Sequence, residues 1–284
     1  MNAAASQGAA GLGDLPAFAV GTAGAAGAAL AVMAVAAAVG IRTGRHRVVD
    51  VAWGLAFTAV ALTCFGLSAG HGDPVRRALA AGLTTVWGVR LAVHLARRAR
   101  GAPEDPRYER MLGRVPAERR TGYALRKVYL LQAALVWFVS LPVQAAGYLP
   151  GPPGPVVWAG AALWAVGLAF EAVGDHQLAR FRADPANRGR IMDRGLWGWT
   201  RHPNYFGDAC VWWGLFLLGA DTAVGWAFTG SPLLMTWLLA YGSGRPMLER
   251  QLGASKPGWA AYAARTSSFL PRPPRRTRPP GPAR

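Results

Sequence analysis

The stretch VVDVAWGLAFTAVALTCFGLSAG, residues 48–70, has one charged side chain, Asp50, near its start and is otherwise apolar or neutral. A helix needs about 20 such residues to cross the hydrocarbon core of a bilayer. Other predominantly apolar blocks lie at residues 15–40, 75–95, 128–149, 155–173, 204–220 and 222–241, and block 75–95 includes three arginines. The sequence therefore predicts an all-α, polytopic membrane bundle of six to seven transmembrane helices, the last two blocks being separated by Asp221 alone.

Charged residues are concentrated between these blocks. The chain of 284 residues has 31 Lys and Arg against 14 Asp and Glu, a formal net charge of +17. Most of the basic residues lie in segments 41–47, 94–127, 174–202 and 245–284, which share one side of a seven-span arrangement. Because basic loops remain in the cytoplasm, we predict an outer N-terminus and a cytoplasmic C-terminus. Topology then accounts for the charge, and no nucleic-acid partner is expected.

A second stretch, GLWGWTRHPNYFGDACVWWG at residues 195–214, places basic and polar side chains at the mouth of an apolar block. Such groups are costly near a membrane span and usually mark function. We expect Thr200 to cap the following helix and Pro203 to occupy its first turn. The free amides of that helix start, together with Arg201, would then face a phosphate. Tyr205 offers a face for a flat ring.

An aromatic belt with positive-inside arginines is the alternative for Trp197 and Trp199. It leaves Asn204, Tyr205 and Asp208 unexplained. Further along the chain, Glu249 follows the last apolar block, where its carboxylate could accept from a ribose hydroxyl. A salt bridge from Glu249 to Arg201 or Arg250 is the alternative, and spacing alone does not separate the two.

A third group of candidates lies in the N-terminal half. Asp50 opens the second block, and the loop at 104–108 contains Tyr108. A carboxyl group beside a tyrosine can work as a proton donor, because each changes the pKa of the other. For Asp50 a helix N-cap is an equally good interpretation. The histidines show no metal-ligand spacing, so we expect no metal site.

Several motifs resemble one known family. They are the 195–214 stretch itself, Val49-Asp50-Val-Ala-Trp53-Gly, Trp87-Gly-Val-Arg90-Leu, Glu104-Asp105-x-Arg107-Tyr108, Asp175-x-Gln177-x-x-x-Phe181, Pro246-x-x-Glu249 and Tyr262-x-x-x-Thr266-x-x-Phe269-x-Pro271. In this order they resemble the steroid 5-alpha-reductase-like membrane proteins, in particular their bacterial branch. The resemblance covers about residues 41–271 and implies a bacterial-type plasma (inner) membrane protein.

The resemblance implies a seven-span helical fold whose C-terminal half binds NADPH from the cytoplasmic side. It implies reduction of a carbon–carbon double bond in a lipid or steroid-like substrate, with the cofactor supplying hydride and the protein alignment. Carried over residue by residue, the implied cofactor contacts are Asp175, Gln177, Arg180, Asn187, Arg201, His202, Asn204, Tyr205, Asp208, Glu249 and Tyr262.

In one respect the sequence departs from the family pattern. The steroid reductases hold the substrate ketone with a Glu in the second span and a Tyr in the third, whereas residues 75–95 contain no Tyr. Asp50 and Tyr108 are assigned here as the catalytic stand-ins. The expected domain organisation is an N-terminal segment 1–14, a transmembrane reductase-like domain 15–270 with its cofactor half at about 155–270, and a disordered Pro- and Arg-rich tail 271–284.

The main alternative is an S-adenosylmethionine-dependent methyltransferase of the isoprenylcysteine or phospholipid type, which shares a similar RHPxYxG motif and a following Glu. The additional N-terminal half and the arginines near 180–201 favour the reductase, since NADPH has three phosphates and S-adenosylmethionine has none. A non-enzymatic transporter or assembly factor is less favoured because the span centres are nearly free of charge. Substrate identity and oligomeric state stay open.

Overall fold

The computed structural model describes residues 12–242 and 244–274. Over these residues the regular structure is helical, and one isolated β-bridge joins Thr200 and Ser267. The helices are α1 (Leu15–Thr43), α2 (Val48–Leu67), α3 (Pro74–Ala99), α4 (Pro106–Gly113), α5 (Ala117–Ala124), α6 (Leu131–Val139), α7 (Leu141–Ala146), α8 (Pro155–Ala183), α9 (Leu196–Trp199), α10 (Pro203–Leu217), α11 (Gly230–Ala240), α12 (Arg245–Ser255) and α13 (Trp259–Arg265). The all-α class is confirmed. Most of the predicted N-terminal segment and tail lies outside the described residues.

Four helices, α1, α2, α3 and α8, are long and apolar enough to cross a membrane. Their bounds agree closely with the predicted blocks, except that α8 continues ten residues past the predicted end at residue 173. The continuation is amphipathic: Asp175 is buried together with Glu171 one turn before it, whereas His176 and Arg180 are exposed. Helix periodicity places the buried pair on one face, so these polar residues extend the helix instead of ending it.

The other predicted blocks form shorter helices. Block 128–149 begins within a π-helical turn, Leu125–Leu130, and is then divided between α6 and α7 at Ser140. Pro142 has no N–H to donate to the preceding turn, which accounts for the break. Gln144 compensates by donating from Nε2 to the Trp137 carbonyl and to Ser140 Oγ, each over 2.8 Å. Block 222–241 likewise reduces to a short 3₁₀ turn, Gly225–Phe228, followed by α11.

The described residues form two compact units. The first unit contains the residues up to Ala161 together with Leu215–Ser231, and the second contains Ala162–Gly214 and the residues from Pro232 onward. Helices α8, α10 and α11 therefore contribute residues to both units. Each unit is described by itself below.

In the first unit, α2 and α3 pack with their backbones in contact. A Cβ atom on Gly88 would lie 2.5 Å from the carbonyl oxygen of Gly54, so only glycine fits there. A buried ion pair fixes the start of α3: Arg76 is 1% exposed and donates to both carboxylate oxygens of Asp221, over 2.7 and 2.9 Å. Burial alone would raise the pKa of Asp221, but the hydrogen bonds and charge of Arg76 hold it below its usual value.

In the second unit, α8 and α10 make a similar close contact. A Cβ atom on Gly207 would lie 2.5 Å from the carbonyl oxygen of Gly167. Two turns further along α8, the indole of the buried Trp197 donates to the Gly174 carbonyl over 2.9 Å. Gly195 has a left-handed φ of 58°, and its amide neighbour Leu196 donates to Gln177 Oε1 over 3.0 Å. These contacts hold α9, and hence the residues that follow it, against α8.

Candidate functional site

Three charged or titratable side chains of the second unit converge where α10 begins. Glu249, in α12, accepts on Oε1 from Arg201 Nε at 2.9 Å and lies 3.0 Å from His202 Nε2. Arg201 also donates from Nη1 to the carbonyl oxygens of Ala263 and Thr266, over 2.8 and 2.9 Å. We name Arg201, His202 and Glu249 the second-unit cluster. Of the two interpretations of Glu249, the Arg201 ion pair is therefore present.

The backbone around Thr200 positions this cluster. Thr200 is extended, not helical, and the amide of Arg201 donates to the Ser267 carbonyl over 2.9 Å. The Thr200 hydroxyl donates to the Phe269 carbonyl over 2.8 Å. The predicted helix cap at Thr200 is wrong, because α10 begins at Pro203 and Thr200 is used to bind the 267–269 segment instead. Pro203 does occupy the first helical position, as expected.

His202 is a buried, neutral histidine. Its side chain is 1% exposed, and burial lowers its pKa against the opposing effect of Glu249. The ring of Tyr205 stacks on it with centroids 5.2 Å apart and planes 5° from parallel. Within the described residues Nδ1 has no hydrogen-bond partner. A buried ring nitrogen without a partner is costly and points to a ligand or to a water molecule that satisfies it.

Glu249 is ionised and only partly used. Burial alone would raise its pKa, but hydrogen bonds from His202 and Arg201 and the Arg201 charge lower it to about 2. Both of those bonds go to Oε1, and no hydrogen bond to Oε2 occurs among the described residues. With its side chain 22% exposed, Glu249 keeps one carboxylate oxygen for an outside donor such as a ribose hydroxyl.

A polar cleft of about 480 Å³ lies beside Arg201 in the same unit. Its lining is basic and hydroxyl-rich, and comprises Arg201, Ala263, Ala264, Arg265, Thr266, Ser267, Ser268, Arg272 and Pro273. Arg265 is engaged through Nη2 by Asp193. The side chains of Ser267, Ser268 and Arg272 make no hydrogen bond within the described part of the chain. Sequence reasoning missed these three, since nothing in their spacing relates them to Arg201.

The remaining predicted cofactor residues divide into two groups. Tyr205 joins the cluster, and Asn204 and Asp208 lie in the adjoining first turns of α10, where Asn204 Oδ1 accepts from the Tyr205 amide. Tyr262 approaches from α13, but its hydroxyl donates to the Trp197 carbonyl over 2.7 Å. Burial raises the pKa of Tyr262, so the hydroxyl stays protonated and acts as a structural bond.

The second group lies along α8 and just beyond it. Gln177 binds the Leu196 amide, as described above, and Asn187 donates locally to the Phe181 carbonyl over 3.1 Å. Arg180 is exposed, and Asp175 is buried. The structure describes no hydrogen bond or ion pair from Gln177, Arg180 or Asn187 to the second-unit cluster. Trp197 is likewise a packing anchor and not a belt residue, whereas Trp199 is half exposed and fits the belt.

The two predicted catalytic residues meet in the first unit. Tyr108 donates from its hydroxyl to Asp50 Oδ1 over 2.8 Å, and Arg107 donates to Asp50 Oδ2 over 2.9 Å. We name Asp50, Arg107 and Tyr108 the first-unit cluster. The N-cap interpretation of Asp50 is wrong: Arg47 holds the cap position and Asp50 points to the 104–108 loop. Burial, followed by the Asp50 charge, raises the pKa of Tyr108, which therefore keeps its proton at neutral pH.

The neighbouring Glu104 has a role that the sequence did not indicate. Its carboxylate accepts from the backbone amides of His46 and Arg47, the second over 3.0 Å. It therefore supplies the cap that the start of α2 lacks. His46 Nδ1 also lies 2.8 Å from the Tyr129 hydroxyl, and burial lowers the pKa of His46 against the opposing charge of Glu104. The 104–108 loop is thereby fixed to the α1–α2 connection.

Comparison with known proteins gives one family match, and it spans the residues of both clusters. Residues 36–266 match the family described as "protein of unknown function (DUF1295)". An uncharacterized protein of Schizosaccharomyces pombe is 24% identical, in an alignment that covers 82% of this chain and 75% of the relative. No solved structure matches. Since the family match extends over most of the chain and includes both clusters, this protein belongs to the DUF1295 family.

Proposed function

We propose that this protein is an integral membrane, NADPH-dependent reductase of a carbon–carbon double bond in a lipid or steroid-like substrate. The observation that carries the proposal is the second-unit cluster beside an arginine-lined cleft. Its donors and its free carboxylate oxygen suit a phosphorylated nucleotide. Long apolar helices suit a substrate that partitions into the bilayer.

The side chains of the second unit suggest separate roles in cofactor binding. Glu249 Oε2 would accept from a ribose hydroxyl, because an ionised carboxylate is a strong acceptor. The stacked rings of His202 and Tyr205 would present an aromatic face to a base or nicotinamide. Arg201 differs from the expectation, since most of its donors are already used within the protein. Its main contribution is to hold Glu249 in place.

When bound, NADPH would supply a hydride to one alkene carbon, and a proton must reach the other. Tyr108 is the proposed acid. Its phenol remains protonated across neutral pH, which is the state that polarises a carbonyl or delivers a proton. In the structure Asp50, itself held by Arg107, accepts that proton, so the Tyr108 hydroxyl would have to turn its single hydrogen from Asp50 Oδ1 to the substrate in order to act as the acid. Proton loss from Tyr108 would require resupply from solvent, which the exposed Arg107 side of the cluster permits.

We further propose six to seven spans with the N-terminus outside and the active site toward the cytoplasm of a bacterial-type plasma membrane. The distribution of basic residues supports this arrangement, because they are concentrated in the segments 41–47, 94–127, 174–202 and 245–284. The cluster residues Arg201, His202 and Glu249 lie within or beside two of those segments. Cysteine accessibility in intact cells and in inverted vesicles would test it.

Ligand-induced stabilisation of the detergent-purified full chain tests the function. A ligand bound only by the folded state adds about 2.7 kcal/mol at a hundredfold excess over its dissociation constant. We expect NADPH to raise the melting temperature and S-adenosylmethionine to leave it unchanged. Stabilisation by S-adenosylmethionine alone would assign the protein to the methyltransferases. No stabilisation by either ligand would contradict both enzyme proposals.

Variants locate the site. Tyr205→Ala and Asn204→Ala should weaken NADPH binding while the protein stays folded, since neither residue carries an ion pair of the cluster. Arg201→Ala is a poor probe because it also breaks contacts within the fold. Exposed Arg250→Ala serves as the matched control, since its guanidinium donates to the Pro246 carbonyl. Unchanged NADPH affinity in both test variants would contradict the placement of the site.

A further inference from the structure

The cleft beside Arg201 contains hydrogen-bond donors that are not paired with the neighbouring carboxylates of Glu249 and Asp193. Arg201 is paired with Glu249 and Arg265 with Asp193, but the Arg272 guanidinium and the hydroxyls of Ser267 and Ser268 have no partner among the described residues. We propose that this cleft is a subsite for a phosphate monoester and binds the 2′-phosphate of NADPH. The inference rests on the proposed function and deepens it, since this subsite would select NADPH over NADH.

The three donors suit a terminal phosphate in number and kind. A phosphate monoester has three terminal oxygens and close to two negative charges at neutral pH. A guanidinium binds two such oxygens with parallel hydrogen bonds, and a hydroxyl can donate to the third. Arg272 therefore supplies the charge, and Ser267 and Ser268 complete the set of donors.

The segment that carries these donors is held in place by the backbone. Arg272 donates from its amide to the Trp199 carbonyl over 3.0 Å, and Ser267 accepts from the Arg201 amide over 2.9 Å. Between them Phe269 accepts from the Thr200 hydroxyl. Residues 267–272 are thus hydrogen-bonded to residues 199–201 at three points. The backbone that carries the donors is therefore in place before a ligand binds, which favours affinity.

The position of Glu249 favours the 2′-phosphate over the diphosphate. One guanidinium, that of Arg201, both binds Glu249 and lines the cleft. A carboxylate acceptor and a cleft large enough for a phosphate therefore both lie beside Arg201. In the adenosine ribose of NADPH, the 3′-hydroxyl and the 2′-phosphate sit on neighbouring carbons. Glu249 Oε2 would accept from that hydroxyl while the cleft receives the phosphate, with Arg201 next to both negative groups.

The test compares NADPH and NADH on the purified full chain. Calorimetric dissociation constants should favour NADPH, and Arg272→Ala should weaken NADPH by about tenfold or more, as for other hydrogen bonds to charged groups. NADH should change by less than about twofold. The double variant Ser267→Ala/Ser268→Ala should have a smaller effect in the same sense. Arg250→Ala is the matched control, since its guanidinium donates to the Pro246 carbonyl and does not line the cleft.

A second probe separates this proposal from the proposed function. The fragment 2′,5′-ADP has the monoester without a nicotinamide, and 5′-AMP lacks the 2′-phosphate. We expect 2′,5′-ADP to bind more tightly than 5′-AMP, with the difference abolished by Arg272→Ala. If neither dinucleotide binds but 2′,5′-ADP does, the reductase proposal fails while the subsite stands.

Three results would overturn the subsite. The first is that Arg272→Ala weakens the binding of NADPH and of NADH equally, which would place the diphosphate in the cleft. The second is that Arg272→Ala changes the affinity for neither nucleotide. The third is that phosphatidic acid in nanodiscs binds in an Arg272-dependent way while the NADPH affinity is unchanged. The first leaves the reductase proposal intact. The last would assign the same phosphate chemistry to a lipid headgroup.

Discussion

The two clusters are built alike but are buried differently. In each, a carboxylate accepts from an arginine and from the ring residue that follows it in sequence: Asp50 from Arg107 and Tyr108, Glu249 from Arg201 and His202. Arg107 is 43% exposed and shared with a second carboxylate, Asp105, whereas Arg201 is 11% exposed and bound to backbone carbonyls. The Arg107–Asp50 pair therefore holds a surface loop of the first unit, whereas the Arg201–Glu249 pair is more deeply buried in the second unit.

The largest effect is expected from Arg201→Ala. It removes one of the two partners of Glu249, which keeps His202, and leaves two carbonyl groups without their donor, so we expect a loss of about 3 kcal/mol. Thermal unfolding in detergent should show a large loss of stability, with Arg250→Ala as the exposed control. A change below about 1 kcal/mol would mean that the two clusters are equivalent in burial.

A smaller loss should accompany acidification. Burial lowers the pKa of His202 and of His46, so the unfolded chain binds more protons as pH falls through 6.5. Their contribution to stability is complete above that pH and is lost below it. Glu249, with its pKa lowered to about 2, adds a loss only below its unfolded value of 4.5, and Asp105 only below 3.8.

Single variants divide this pH dependence between the two units. Melting temperatures between pH 7.5 and 5 should depend less on pH in His202→Gln than in the unaltered protein. His46→Gln should reduce the dependence to a lesser degree, because that side chain is only half buried. His176 is exposed, so His176→Gln is the control and should leave the pH dependence of the melting temperature unchanged. An unaltered slope in His202→Gln would show that this histidine titrates as in an unfolded chain.

Tyr108→Phe should have a modest effect on stability. It removes one hydrogen bond to Asp50 while Arg107 remains, so we expect a loss of about 1 kcal/mol by thermal unfolding. NADPH affinity should stay the same, since the cofactor residues proposed above belong to the other unit. Tyr123→Phe is a suitable control. Loss of NADPH binding in Tyr108→Phe would contradict the division of roles between the clusters.

The smallest effect is expected from Arg107→Ala. An exposed ion pair contributes about 0–1 kcal/mol, and Asp50 would still accept from Tyr108. The melting temperature should therefore move little, and less than in Arg201→Ala by a wide margin. If Arg107→Ala were as destabilising as Arg201→Ala, the contrast drawn between the two clusters would be wrong.

The sequence predicted the long helices well because apolar length is a local property. It gave α1, α2, α3 and the start of α8 within a few residues. It was less successful where one residue interrupts an apolar run, as Pro142 does, since composition over 20 residues hides a single missing donor. The shorter helices α12 and α13 are amphipathic pieces that depend on tertiary contacts.

The sequence predicts which residues form the candidate site better than it predicts the hydrogen bonds between them. Asp50 with Tyr108, and Arg201 with Glu249, were each considered as pairs, and both pairs are in contact. Arg107, which bridges Asp50 and Asp105, and Glu104, which caps α2, were missed as contacts. Contacts between residues about 50 positions apart are set by how helices pack, and no local pattern records that.

The discontinuous first unit has a consequence for synthesis. Arg76 is buried against Asp221, which lies 145 residues further along the chain. At a translation rate of about 5–20 residues per second, roughly 7–30 s pass between the two. Until then the guanidinium near the start of α3 has no carboxylate and must remain hydrated at the membrane surface. The nascent chain therefore completes its first unit only after Leu215–Ser231 have been made, so the order of assembly is not the order of translation.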